Sequence, residues 1–400
     1  MVVSTQPLPE RDATVAEAIA FIDAARRAPA RGVSLVELLS ERHPWYQGKS
    51  SAATARFRGT VLAAFEELGL PDGALLYAIE ELESGRTAHL VGGAARALRG
   101  LDTRERRIMP FLFKAIWNVR SADDVVAFDT GGAPDSRSPT TALEEVFRTF
   151  EWLGPNATAA LRELEAMHRD DSALSAGARA ALARAIAAIR DAEPVAPSSC
   201  CGADLDDETL EGEAVQTWTP GSRRSVGTLD AVAFEDQDGR VLAYGEAFRG
   251  RPTVVAFFYT RCDNPNKCSL TVTKMARLQG AISRAGLGDR LATAAITYDP
   301  GFDLPARLRS YGTQRGVQFD ERNRFLRSTL GFEALREHFG LGVAFGPALV
   351  NRHRIELFIL HEQGRIAVAF ARLQWNVDDV LGRAAMLAAV PPDGAHAHGT

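Results

Sequence analysis

The spacing of apolar residues changes partway along this 400-residue chain, and that change constrains the fold more than any single motif. Through residues 1–192 apolar side chains recur at steps of three and four, in segments rich in Ala, Leu, Glu and Arg such as "AATARFRGTVLAAFEELG" and "SAGARAALARAIAAIRDA". That period is the signature of amphipathic helices. Ser, Thr or Asp often precedes such a segment and Gly often follows it, as helix caps do. No strand is expected in this half. From about residue 215 the apolar residues fall in short runs bounded by turn residues, as buried strands do. One chain therefore holds two kinds of architecture: an all-helical domain at 1–192, and at 215–390 an α/β domain with a central mixed sheet.

Composition agrees and removes some functions. With 46% hydrophobic and 24% charged residues the chain is globular. A net charge of −5, with both signs interspersed and no basic stripe, argues against a nucleic-acid partner. No apolar run approaches the ~20 residues needed to span a bilayer. The opening "MVVSTQPLPERDATVAEAIAFIDAARR" does not read as a signal peptide, so a cytoplasmic protein with no membrane span is expected.

Within the helical half, "GAARALRGL" at Gly93 and "GARAALARAI" at Gly177 are separated by a further helix pair, a period near 42 residues. Paired helices at this period resemble HEAT or armadillo repeats, which implies a protein-binding face for an unidentified partner. His43, His89 and His168 are isolated here and read as packing or surface residues.

Residues 193–214 change character again. Pro, Ser and Gly precede an acidic run almost free of apolar residues, which reads as a linker carrying the adjacent pair Cys200–Cys201. Beyond it the expected order is β-β-β-α-β-α-α-β-β-α, beginning with a hairpin around "QDGR". The last ten residues, 391–400, include His396 and His398 and read as a disordered tail.

All four cysteines lie between 200 and 268, too few and too clustered for a disulfide scaffold. Cys262 ends the run "TVVAFFYTRC" and Cys268 opens "SLTVTKMARLQG", so two thiols stand where a central strand hands over to a helix. Unpaired N–H groups and partial positive charge at a helix start stabilise a thiolate. Cys268 is expected to benefit, with Lys267 and Arg261 adding positive charge.

These residues carry a resemblance. The segment from about Asp230 to Ala388 is similar to the Sco/SenC family of thioredoxin-fold, copper-binding proteins that serve in assembly of cytochrome c oxidase. The matching stretches are "DQDGRVLAYGEAFRGRPTVVAFFYTRC", "AAITYDP" and "NRHRIELFILHEQGRI", in that order. The resemblance implies a thioredoxin-like domain binding copper, as Cu(I) or Cu(II), through Cys262, Cys268 and His353. Two thiolates and an imidazole suit that metal. It also implies a copper donor or acceptor protein as partner. Asp299, in "AAITYDP", reads as a turn residue or as one that orients the site, and His361 as an exposed turn residue. The chain departs from the family in placing five residues between its cysteines where three are usual. A metal-independent alternative remains open: a thiol–disulfide oxidoreductase or thiol peroxidase-like protein, with Cys262 and Cys268 as catalytic pair and a thiol reductant as partner. A third reading gives the work to the helical half, with the thiol domain sensing redox state.

Overall fold

The computed structural model describes residues 8–27, 32–128, 139–170, 173–191, 217–221, 225–347 and 349–389. The Cys200–Cys201 pair, the linker and the tail with His396 and His398 lie outside them. The chain divides into two compact units. The first comprises Met1–Gln216 together with Ala344–Arg352, and the second Thr217–Val343 with His353–Thr400.

The first unit is helical: α1 (Val15–Arg26), α2 (Gly32–Glu37), α3 (Ser51–Leu68), α4 (Asp72–Ser84), α5 (Ala88–Leu98), α6 (Met109–Val119), α7 (Ala142–Leu153), α8 (Leu161–Asp170) and α9 (Ala176–Arg190). Side chains at the helix starts accept from free backbone N–H groups, Thr14 from Glu17, Ser50 from Ala53, Thr141 from Glu144 and Ser175 from Ala178. The odd-numbered helices α1, α3, α5, α7 and α9 pack in succession, and α4 packs on both α5 and α6. The expectation of no strand is corrected by a two-residue antiparallel ladder, β1 (Val125–Val126) with β2 (Thr140–Thr141). Strands this short carry no detectable period.

Helices α3 and α5 approach through glycine. A Cβ on Gly93 would lie 2.9 Å from both the Cα and the carbonyl carbon of Gly59. Gly93→Ala is therefore expected to destabilise the protein by about 1–3 kcal/mol through overpacking, despite the ~1 kcal/mol helix advantage of Ala over Gly. Chemical denaturation checks this.

The second unit is built on one eight-stranded sheet in the order β3-β12-β11-β6-β7-β8-β4-β5. Its strands are β3 (Trp218–Pro220), β4 (Ala233–Asp236), β5 (Val241–Ala243), β6 (Thr253–Phe258), β7 (Ala292–Thr297), β8 (Asn323–Leu330), β11 (Glu356–Leu360) and β12 (Ile366–Ala371). A separate ladder joins β9 (Val343–Phe345) to β10 (Val350–His353). The helices are α10 (Tyr244–Phe248), α11 (Leu270–Arg284), α12 (Pro305–Thr313), α13 (Phe332–Phe339) and α14 (Val377–Ala389). β6 pairs in parallel with β7, and β7 with β8, while β11 runs antiparallel to β6, so the sheet is mixed as expected. Every residue of β6 and β7 is buried, which accounts for their nearly all-apolar sequences, threonine being the one polar type they hold. The expected hairpin is β4–β5, with Gly239 at φ +80° in the turn.

The expected element order misses β3, β8, β9, β10 and the short α10. β8, "NRFLRSTL", buries Phe325 and Leu326 but leaves its arginines half-buried, so neither a continuous apolar run nor a clean alternation marks it. Among the described residues no helix is long and apolar enough to cross a membrane.

Candidate metal centre

β6 delivers the chain to the site. Past Phe258 the backbone is tied to the end of β7, where Tyr298 N–H donates to the Phe258 carbonyl at 2.7 Å. Buried Asp303 anchors the next turn, accepting from Thr260 N–H at 3.1 Å and from the Thr297 hydroxyl at 2.5 Å. Cys262 follows, half-buried. Asn264 then caps a single π-helical turn, Pro265–Ser269, by accepting from Asn266 N–H at 2.9 Å. That turn runs directly into α11 and carries Cys268 into the interior, 1% exposed. The wide cysteine spacing is absorbed here, because a π turn takes up more chain per turn than an α turn.

The third member arrives from β10. His353 ends that strand, buried between the rings of Tyr259 and Tyr298, with ring centroids 5.3 and 5.6 Å away. Its Nδ1–H donates to the Arg354 carbonyl at 3.1 Å, which turns Nε2 toward the sulfurs. Nε2 lies 3.5 Å from Cys262 Sγ and 3.6 Å from Cys268 Sγ. All three potential ligand atoms fall within 4.8 Å of one another. A sulfur at ~2.3 Å and an imidazole nitrogen at ~2.05 Å from one tetrahedral metal lie roughly 3.6 Å apart. The residues present therefore fit one shared ion, and two sulfurs with one nitrogen form a soft donor set.

The two thiols differ sharply. Cys262 is lowered to about 3, chiefly by its hydrogen bond with Cys268 and further by His353. Cys268 is pushed up by burial first and then by the neighbouring Cys262. This reverses the sequence expectation. Cys268 does stand beside the helix start, but burial outweighs that benefit, and the thiolate sits on the more exposed Cys262. Iodoacetamide at pH 5 is accordingly expected to modify Cys262 and spare Cys268 in the metal-free protein, and peptide mapping reads this directly.

The flanking cations have other duties. Lys267, itself buried, donates from Nζ to the His353 carbonyl at 3.0 Å, fixing the histidine backbone. Arg261 pairs with Asp299, its Nε donating at 3.0 Å, and its guanidinium lies 4.0 Å from the Phe302 ring centroid. Asp299 thus orients the arginine next to Cys262. His361 sits in the β11–β12 turn, where its Nδ1 lies 3.1 Å from Gln363 N and its Nε2 3.1 Å from Arg365 Nε, one ring nitrogen accepting, apart from the site.

Sequence reasoning missed Glu356. This fully buried carboxylate accepts from Tyr298 OH at 2.6 Å, Gly342 N–H at 2.9 Å and Arg354 Nε at 2.8 Å. It holds both a ring beside His353 and the residue whose carbonyl orients the imidazole. The signal was present as an acidic residue opening the apolar run "ELFIL", since buried charges are kept only where they are paired.

Residues 231–326 match the family model described as SCO1/SenC. The match includes both cysteines of the site and ends before His353. The matched segment lies within the C-terminal unit. Solved structures similar to this chain include a SCO1/SenC family lipoprotein from Bacillus anthracis, 19% identical over 40% of this chain and 94% of its own, with a TM-score of 0.35. ScoI from Bradyrhizobium japonicum with copper bound is 17% identical over 42% and 99%, with a TM-score of 0.33. Bacterioferritin comigratory protein from Xanthomonas campestris is 16% identical over 42% and 99%, with a TM-score of 0.31. No curated protein matches the chain.

Proposed function

We propose that the C-terminal unit is a copper-binding, thiol-redox domain that holds one ion through Cys262 Sγ, Cys268 Sγ and His353 Nε2. The convergence of these three atoms, with both sulfurs 3.5–3.6 Å from one nitrogen, carries the reading. Copper supplies a soft, one-electron redox centre, and thiolate ligands favour its Cu(I) form. The protein's part is to keep the imidazole in the ligating tautomer, hold a thiolate ready at Cys262 and shield Cys268 from solvent. The copper-bound ScoI structure gives the choice of metal its precedent. A reducing, cytoplasmic setting keeps both thiols available, and a copper donor or acceptor protein is the partner this chemistry requires. The helical unit, with its successive packing of odd-numbered helices, offers a HEAT-like surface for such a protein.

The test is competition between the reduced protein and a chromogenic Cu(I) chelator. A single tightly held copper per chain, lost in Cys262→Ser, supports the reading. Binding that survives in Cys262→Ser, or no binding by the parent protein, contradicts it.

A second reading rests on the unequal thiols. Cys262 thiolate attacks a partner disulfide, forming a mixed disulfide and expelling one partner thiolate. Cys268 then attacks Cys262 Sγ, releasing the second partner thiolate and closing a Cys262–Cys268 disulfide, so the partner gains the two electrons this protein loses. Turnover against a disulfide substrate without metal, retained in His353→Ala, would favour it over copper binding.

A further inference from the structure

In sequence, Ala344–Arg352 lies deep in the C-terminal half, yet it belongs to the first unit. Its attachments are specific. Gly48 N–H donates to the Phe345 carbonyl at 2.8 Å, and Asn351 Nδ2 donates to the carbonyls of Tyr46 and Lys49 at 2.7 and 2.9 Å. Arg352 reaches a buried cluster of three carboxylates, Glu41, Glu80 and Glu81, each no more than 1% exposed. Arg58, fully buried, occupies the same cluster, with Nε on Glu81 at 3.0 Å and a terminal nitrogen on Glu41 at 3.1 Å. Arg352 enters the same buried cluster, pairing with Glu81 and lying 3.5 Å from Glu80. Unpaired charge in such a site is strongly unfavourable, so the cluster holds Arg352 firmly. The next residue in the chain is His353.

We propose that Arg352 is a positioning residue for the metal site: its pairing with Glu80 and Glu81 in the helical unit fixes the backbone at His353, so the state of that unit sets metal affinity. This rests on the copper reading above. The ligand so controlled is the one carried outside the main sheet. Cys262 and Cys268 are set by β6 and the π turn, whereas His353 ends a four-residue strand outside the main sheet. Linkage makes the effect reciprocal: a partner that loosened the Arg352 pairing would weaken copper binding, and bound copper would oppose that loosening.

The experiment compares the full chain with Arg352→Met, Glu81→Gln and the double variant. It reads Cu(I) affinity by chelator competition and, separately, hydrogen exchange of the metal-free protein at Arg354 N–H, which donates to the Gly342 carbonyl at 3.1 Å. The expected result is about tenfold weaker copper binding in each single variant, within the usual range of coupling between sites. The double variant is expected to lose no more than the worse single, and exchange at Arg354 to quicken in all three. Wild-type affinity and wild-type exchange alongside a lowered melting temperature would overturn the proposal, because a merely structural role moves only the last. Arg352→Lys, which keeps the charge, replaces Arg352→Met should that variant not fold, with a smaller loss of affinity expected and none overturning the proposal. Should the parent protein bind no copper, the copper reading fails on its own, and exchange at Arg354 alone decides whether Arg352 positions His353.

Discussion

His353→Ala is expected to weaken Cu(I) binding by on the order of 100-fold or more while leaving the fold intact. Losing a group that merely orients a metal ligand costs 10–100-fold, and losing the ligand itself costs at least as much. The imidazole stands in van der Waals contact with Tyr259 and Tyr298 rather than in the main sheet, so alanine leaves a small pocket beside the thiols and no orphaned strand. The two cysteines remain, and thiol oxidation to a Cys262–Cys268 disulfide is expected to persist in the variant. Chelator competition gives the affinity, and thiol counting before and after mild oxidation gives the disulfide. Retention of wild-type affinity would remove His353 from the ligand set.

Glu356→Ala is expected to destabilise the protein by about 3–5 kcal/mol, the usual cost of removing one partner from a buried ion pair. The variant strands Tyr298 OH in the interior and takes the carboxylate partner from Arg354 Nε, and both residues touch the surroundings of His353. Copper affinity should therefore fall together with stability. Chemical denaturation of the metal-free protein measures the first effect and chelator competition the second. A stability loss under 1 kcal/mol would mean that Tyr298 and Arg354 find other partners, and that Glu356 does not hold the site.

Much of this arrangement was legible in the chain. The nearly all-apolar run of β6 followed by the helical period of α11 put Cys262 and Cys268 at a strand-to-helix junction, because full burial of a strand removes most polar residues from it. His353 was reached through the resemblance of "NRHRIELFILHEQGRI", since nothing in local pattern marks a ligand 85 residues beyond Cys268. What stayed hidden depends on contacts distant in sequence. Which thiol ionises follows from depth, and depth follows from the π turn, which leaves no periodic trace in "NPNKCSL". The role of Glu356 needs Tyr298 and Gly342 brought to it from other parts of the chain. The membership of Ala344–Arg352 in the helical unit rests on Glu80, Glu81, Tyr46 and Lys49, some 300 residues earlier in the case of Asn351. Exposed-looking arginine is the residue type from which such pairing is hardest to read, since most arginines are solvated.

The central claim is that one ion is held by two sulfurs and one nitrogen, and X-ray absorption at the copper edge tests it most directly. The sample is the full chain loaded with one equivalent of Cu(I), with Cys200→Ser and Cys201→Ser introduced so that only the proposed thiols remain. The account predicts a first shell of two sulfurs and one imidazole nitrogen, the nitrogen disappearing in His353→Ala. A shell of sulfur alone, unchanged by that substitution, would contradict it.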